Sequence, residues 1–180
     1  MLSRLLRRDG DEAGGLAVEP MRRRHLPEIL AIEQVSYPKP WTQGTFTSEL
    51  DAVKRDQRTY LVARRRGTLV GYGGLMYVVD DAHVTNLAVS PSEQRGGVAT
   101  RLLAELAWTA LDRGCQALTL EVRVTNTGAQ ALYHRFGFVP AGIRQRYYEN
   151  TDDAIVMWCN DIDTSAYRDR LRELSPEAAR

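Results

Sequence analysis

The sequence predicts a mixed α/β domain with a mostly antiparallel central sheet of about seven strands and helices on both faces. Three strand-like runs, at 59–64, 68–79 and 83–89, follow one another with only short turns between them. That order is typical of an antiparallel meander. From there onward helices and strands alternate, which requires a crossover connection and therefore some parallel pairing.

Before the meander, the chain is predicted to form one short strand and two helices. A strand is expected at 16–19, where a proline ends it, and apolar residues at helical spacing predict a helix at 25–36. Two prolines within 37–41 exclude a helix from that segment. A second helix is predicted at 42–51, with Thr42 as its N-cap because the hydroxyl can accept a hydrogen bond from the first turn.

After the meander, the chain is predicted to alternate helix and strand. Residues 98–111 repeat apolar side chains at intervals of three and four, which marks an amphipathic helix that Gly114 ends. An apolar strand is expected at 117–122, and the helix that follows it ends at Gly137. Two closing strands are then expected, at 138–148 and 153–160.

Length and charge indicate one soluble domain, expected at 16–163, between a flexible extension at 1–15 and a polar tail at 164–180 that could form a surface helix. The net charge is +1, so composition favours neither nucleic acid nor a membrane as a partner. No apolar run approaches the roughly 18 residues of a membrane span. The first arginines precede acidic residues rather than an apolar segment, so we expect no secretory signal and a cytoplasmic location.

Cysteine and histidine spacing gives no indication of a metal site. Cys115 and Cys159 lie far apart inside apolar runs, a pattern that favours buried thiols in a reducing compartment over zinc ligands. The three histidines, His25, His83 and His134, have no mutual spacing typical of a metal centre or a catalytic triad. We therefore expect no metal and assign the histidines to structural or surface positions.

The junction between the strand at 83–89 and the long helix is a candidate phosphate site. A helix N-terminus exposes backbone N–H groups that carry partial positive charge, and glycine lets an anion approach them. No Walker sequence is present, and the strand glycines Gly71, Gly73 and Gly74 favour a bulge over a dinucleotide fingerprint. Taken alone, the junction fits a phosphate-bearing ligand and an ordinary tight turn equally well. Its residues are Gln94, Arg95, Gly96, Gly97, Val98, Ala99 and Thr100.

Several spaced motifs resemble the GNAT superfamily of N-acetyltransferases. Residues 94–99 match its Q/R-x-x-G-x-G/A signature, with Ala99 in place of the last glycine, and 86–89 (NLAV) is similar to the strand before it. Residues 120–126 (LEVRVTN), the ALY and FGF sequences after them, and Tyr147-Tyr148 resemble more closely the RimI branch, the ribosomal-protein-alanine N-acetyltransferases. The resemblance covers about 16–160 and implies a GNAT fold, acetyl-CoA as co-substrate and a protein N-terminus as acceptor.

The resemblance also implies roles for individual residues. Glu121 would be the general base, directly or through water, and Tyr133 the general acid at the cofactor sulfur. Without the resemblance, a lone strand glutamate is more often a surface residue and Tyr133 a core aromatic. Asn126 would add a hydrogen bond to the cofactor, although a plain N-cap is the simpler interpretation. The backbone of Leu87, Ala88 and Val89 would bind the pantetheine arm, and the substrate-binding residues would be Tyr37, Trp41, Tyr147 and Tyr148.

The acceptor is the open part of this hypothesis. The N-terminal alanine of a small-subunit ribosomal protein is favoured, but a lysine side chain, a polyamine or another small amine would need the same chemistry. A regulatory module that binds acetyl-CoA without turnover is a third possibility, and the presence of Glu121 and Tyr133 argues against it. The segment at 149–152 is shorter than in enterobacterial members, which bears on the peptide pocket more than on the cofactor site.

Overall fold

The computed structural model describes residues 15–180; the predicted N-terminal extension, apart from Gly15, lies outside the described residues. The strands are β1 (Leu16–Pro20), β2 (Arg58–Arg65), β3 (Thr68–Val78), β4 (Asp81–Val89), β5 (Ala117–Arg123), β6 (Val139–Tyr148) and β7 (Asp152–Cys159). The helices are α1 (Leu26–Ser36), α2 (Gln43–Lys54), α3 (Val98–Asp112), α4 (Thr127–Arg135) and α5 (Ser165–Leu174).

Seven strands form a mixed sheet in the order β1-β2-β3-β4-β5-β7-β6, which confirms the predicted fold class. Connections of two residues join β2 to β3 and β3 to β4, as the predicted meander requires. The one parallel pair among the registers described is β4 with β5, where Asp81–His83 lie beside Ala117–Thr119. The antiparallel pairs β5·β7 and β6·β7 complete that half of the sheet.

The chain divides into two compact units. One contains the described residues up to Leu75 together with Asn86–Leu106, and the other contains Met76–Thr85 together with Ala107–Arg180. Each unit is held by its own buried side chains, because apolar residues of its helices and strands are removed from water together.

In the first unit, β3 is one continuous strand through its three glycines. Neighbouring atoms lie so close to these glycines that a larger side chain would not fit. A Cβ on Gly71 would lie 2.9 Å from the Ala88 carbonyl oxygen, and one on Gly74 would lie 2.3 Å from the Tyr60 ring. Gly71 faces Val98 of α3, whereas Tyr72 points to the opposite face and meets Phe46 of α2 edge-on at 5.7 Å. Helices therefore cover both faces of β3, as predicted.

The first helices end close to their predicted limits. The Thr42 hydroxyl accepts a hydrogen bond from the Thr45 amide at 3.2 Å, which confirms this residue as the N-cap of α2. The helix continues past the predicted end at residue 51 to Lys54, whose ammonium lies 3.0 Å from Asp51. An ion pair at this spacing supports a helical last turn.

In the second unit, glycines end the helices where predicted. Gly114 follows α3 with a φ of +78°, and Gly137 follows α4 with a φ of +90°. The predicted surface helix in the polar tail is α5, which buries Tyr167 and Leu171. Both cysteines are free and buried, as expected for small apolar side chains. Within residues 15–180, no helix has the length and apolarity needed to cross a membrane.

Candidate acetyl-CoA and acyl-transfer site

The predicted phosphate loop lies in the first unit. A short 3-10 turn, Pro91–Glu93, leads from β4 into exposed residues, and α3 begins at Val98. Arg95 and Gly97 adopt the left-handed backbone region, with φ values of +61° and +82°. A Cβ on Gly97 would meet no atom within 4 Å, so the loop presents open space in front of the helix N-terminus.

Arg65, which was not among the predicted site residues, supports this loop. Arg65 of β2 forms an ion pair with Glu93 and donates a second hydrogen bond to the Gly96 carbonyl at 2.9 Å. Arg65 therefore fixes the shape of the loop, while Arg95 remains exposed at its tip. The helical residues that follow, Val98, Ala99 and Thr100, carry N–H groups that lack partners within the helix.

Two of the predicted substrate residues pack within the same unit. The Tyr37 hydroxyl donates to the carbonyl oxygen of Leu87 on β4 at 3.3 Å. The Trp41 ring lies 5.4 Å from that of Phe46, and both Tyr37 and Trp41 pack against the buried core. Ala88 is buried and its neighbours Leu87 and Val89 are half-buried. Through Tyr37 and Trp41, the loop of 37–41 thus packs against the core, and Tyr37 joins it by a hydrogen bond to the strand that is predicted to bind the pantetheine arm.

Glu121 lies in the second unit and does not face open solvent. Its side chain is 10% exposed, with Oε2 at 2.9 Å from Nε2 of His83 and Oε1 at 3.4 Å from the guanidinium of Arg144. The structure therefore corrects the interpretation of Glu121 as an ordinary surface residue of β5. Its carboxylate is held between side chains of β4 and β6.

His83, which the sequence assigned to a structural or surface position, is the half-buried neighbour of Glu121. Its Nδ1 lies 2.7 Å from the Thr119 hydroxyl, on the opposite side of the ring from Glu121. Burial is the main cause that lowers the pKa of His83, and Arg144 adds to it, while Glu121 opposes it. The parallel register sets His83 beside Thr119, two residues before Glu121 on the same strand face. The sequence alone does not predict that His83, Thr119 and Glu121 meet, because their contact depends on the pairing register of β4 and β5.

Tyr133 and Asn126 lie on the helix that follows β5. Tyr133 is 8% exposed and its ring packs 5.7 Å from Phe138. Burial, with a smaller contribution from Tyr148, raises the pKa of Tyr133 well above its usual range, so the phenol stays protonated. The Asn126 side chain accepts from the Ala129 amide at 3.1 Å, which confirms its N-cap role.

The tyrosine pair ending β6 lies where the strand pairing is irregular. The register shifts between Arg144 and Tyr148, and Arg146 has a φ of +50°. The rings of Tyr147 and Tyr148 meet edge-on, with their centroids 5.0 Å apart. The Tyr148 hydroxyl donates to the backbone oxygen of Glu121 at 3.1 Å, and burial raises the pKa of Tyr148 to about 12.

The predicted site residues therefore fall into two groups. The first unit contains the predicted phosphate loop, Leu87–Val89, Tyr37 and Trp41. The second unit contains Glu121, Asn126, Tyr133, Tyr147 and Tyr148. Among residues 15–180, no three side chains of the metal-binding types are grouped so that they could hold an ion.

Comparisons with known proteins give the family. The profile of the acetyltransferase (GNAT) family matches residues 26–138. A Bacillus subtilis protein named as a candidate ribosomal protein bS18-alanine N-acetyltransferase is 38% identical, over 79% of this chain and 93% of its own length. The Escherichia coli K12 ribosomal protein bS18-alanine N-acetyltransferase is 34% identical, over 78% of this chain and 94% of its own.

Solved structures agree with this assignment. The crystal structure of the Escherichia coli ribosomal-protein-S18-alanine N-acetyltransferase matches with a TM-score of 0.73 and 32% identity, over 81% of this chain and 94% of that one. The PaiA N-acetyltransferase from Thermoplasma acidophilum, in complex with coenzyme A, matches with a TM-score of 0.68 and 15% identity, over 81% and 98%. That lower identity shows the fold alone. By fold, profile and relatives together, the chain belongs to the acetyltransferase (GNAT) family.

Proposed function

We propose that this chain is an acetyl-CoA-dependent N-acetyltransferase that acetylates the α-amine of a protein, with the N-terminal alanine of ribosomal protein bS18 as its first candidate acceptor. The names of its relatives support the acceptor. The observation that carries the chemistry is the Glu121 carboxylate, which is largely buried yet held by hydrogen-bonding and charged partners rather than by apolar neighbours. A carboxylate in that setting is suited to proton transfer.

Cofactor binding is assigned to the first unit. The pyrophosphate of acetyl-CoA would accept hydrogen bonds from the backbone N–H groups at the start of α3, beside Arg95. The loop fits this group because Gly97 leaves open space and already has the backbone conformation the turn needs. Leu87–Val89 would pair with the pantetheine arm as an added strand does. The resemblance also assigns one hydrogen bond to the cofactor from Asn126.

Proton transfer is assigned to the second unit. Glu121 takes a proton from the acceptor ammonium, directly or through water, and the free amine then attacks the thioester carbonyl carbon. The C–N bond forms, the C–S bond breaks, and Tyr133 donates its phenolic hydrogen to the departing thiolate. The nitrogen loses its second proton as the amide forms, and a proton from solvent restores the Tyr133 phenol, so the step is balanced. The raised pKa of Tyr133 keeps that hydrogen in place until the thiolate develops. The resemblance further assigns polarisation of the thioester carbonyl to a backbone N–H near Val89, and acceptor binding to Tyr37, Trp41, Tyr147 and Tyr148.

A panel of acceptor amines tests this proposal. Release of coenzyme A from acetyl-CoA is measured with a peptide that begins with the N-terminal residues of bS18, with the same peptide blocked at its α-amine, and with spermidine. The open peptide should have the highest kcat/KM. If spermidine or a lysine of the blocked peptide were acetylated while the α-amine of the open peptide was not, the acceptor would belong to another class of amine. No release with any amine would favour a non-catalytic acetyl-CoA-binding module.

A further inference from the structure

We infer that His83 is a positioning residue for Glu121, and that Thr119 in turn fixes the hydrogen-bonding state of the His83 ring. This inference rests on the proposed role of Glu121 as the base. It adds a chain of three side chains, Thr119–His83–Glu121, to the residues assigned to the reaction. All three lie in the second unit, on the paired strands β4 and β5.

The direction of each hydrogen bond follows from the donors and acceptors present. The ionised Glu121 carboxylate can only accept, so the hydrogen between it and Nε2 of His83, 2.9 Å away, belongs to the imidazole. A neutral imidazole carries one N–H, so Nδ1 is the acceptor. The Thr119 hydroxyl, 2.7 Å from Nδ1, must then be the donor. Thr119 thereby selects the tautomer that points its N–H at the base.

The charge state of His83 matters because of what a cation would do to Glu121. Glu121, Arg144 and the Tyr148 hydroxyl are the ionisable groups that surround this ring and its partner. Burial lowers the pKa of His83, so the ring is neutral at pH 7. A neutral donor orients the carboxylate while leaving its negative charge available for a proton. An imidazolium would instead hold the carboxylate in an ion pair.

Arg144 provides a contrast on the other side of the same carboxylate. Its side chain is 56% exposed and lies 3.4 Å from Oε1, whereas that of His83 is 22% exposed and lies at 2.9 Å. An exposed ion pair at that distance is mobile and screened by solvent. The shorter and less exposed hydrogen bond from His83 is therefore the contact that sets the carboxylate's orientation.

The experiment compares His83→Ala, His83→Gln and Thr119→Val, with His134→Gln as the matched control because His134 is exposed on α4. We expect His83→Ala to lower kcat on the order of 10- to 100-fold, the effect of one hydrogen bond to a charged group, with KM for acetyl-CoA unchanged. The amide of His83→Gln can still donate to Glu121, so it should retain more turnover than His83→Ala. Thr119→Val keeps the side-chain volume and should give a smaller loss.

A split between kcat and KM separates positioning from a merely structural role. Losing the donor leaves the Glu121 carboxylate without its orienting contact, so His83→Ala should lower kcat while KM for acetyl-CoA stays at the wild-type value, and His83→Gln should restore part of the loss. In a Glu121→Gln background, His83→Ala should cause no further loss. Wild-type kcat in His83→Ala, with Glu121→Gln inactive, would overturn the inference and leave the base intact. Full turnover of Glu121→Gln would instead remove the proposed base.

Discussion

The two compact units place their functional groups by different means. In the first unit, the phosphate loop relies on backbone N–H groups at one point in the chain, where a strand, two glycines and a helix follow in order. In the second unit, the acid–base cluster relies on side chains from three strands, β4, β5 and β6, which are far apart in sequence. Local sequence specifies the first kind of site, whereas strand register specifies the second.

The largest effect is expected at the cluster in the second unit. Glu121→Gln removes the base but keeps the size and hydrogen-bonding capacity of the side chain. A general base contributes about 100- to 10,000-fold, so kcat should fall at least about 100-fold while the Kd for acetyl-CoA is unchanged. Glu173→Gln, an exposed change on α5, is the matched control. Steady-state kinetics measures kcat, and titration calorimetry on the same samples measures the Kd for acetyl-CoA. An equal loss of affinity for acetyl-CoA would assign Glu121 to cofactor binding instead.

Tyr133→Phe should have the next largest effect. Removing the phenolic hydrogen should lower kcat on the order of 10- to 100-fold without weakening acetyl-CoA binding. Tyr167→Phe, at a buried tyrosine on α5, should leave kcat at the wild-type level. Because the raised pKa keeps Tyr133 protonated, its ionisation should not reduce wild-type kcat as the pH rises through about 10. Unchanged turnover in Tyr133→Phe would remove it from the mechanism.

A substitution in the loop of the first unit should change the Kd for coenzyme A rather than kcat. An alanine at position 97 must adopt a φ near +82°, which costs about 1 to 2 kcal/mol, so Gly97→Ala should raise the Kd for coenzyme A about 5- to 30-fold. Gly44→Ala is the control, since that glycine lies in α2 without a positive φ. Calorimetry with coenzyme A measures the difference. Equal affinity in both variants would mean that the loop does not bind the phosphates.

The smallest effect concerns the stability of the first unit. His25 is 1% exposed, and burial is the main cause that lowers its pKa. The unfolded chain therefore binds the proton first, and stability is lost as the pH falls below about 6.5. Between pH 7.5 and 5.5, the free energy of unfolding measured by urea titration should fall less in His25→Gln than in the wild type, with a difference of less than about 1 kcal/mol. An identical drop in the two proteins would show that His25 does not contribute.

The same contrast explains how much could be predicted from sequence. The helix beginning at Val98, the N-cap at Thr42 and the glycine turns follow from local spacing and backbone chemistry, and the structure has them where expected. Arg65 and His83 could not be found this way, because each acts across strands whose register is set by tertiary pairing. The positive φ of Arg146, just before the edge-on pair of Tyr147 and Tyr148, could not be predicted either, because non-glycine residues rarely adopt that conformation.

The central claim, acetyl transfer to a protein α-amine, is tested most directly by locating the acetyl group. A peptide with the N-terminal residues of bS18 and one internal lysine is incubated with the enzyme and acetyl-CoA, and fragment masses show which nitrogen is modified. We predict one acetyl group, on the α-amine of the first residue, and none in a matched reaction with Glu121→Gln. Acetylation of the lysine alone, or an unmodified peptide beside an enzyme that binds acetyl-CoA, would contradict the account.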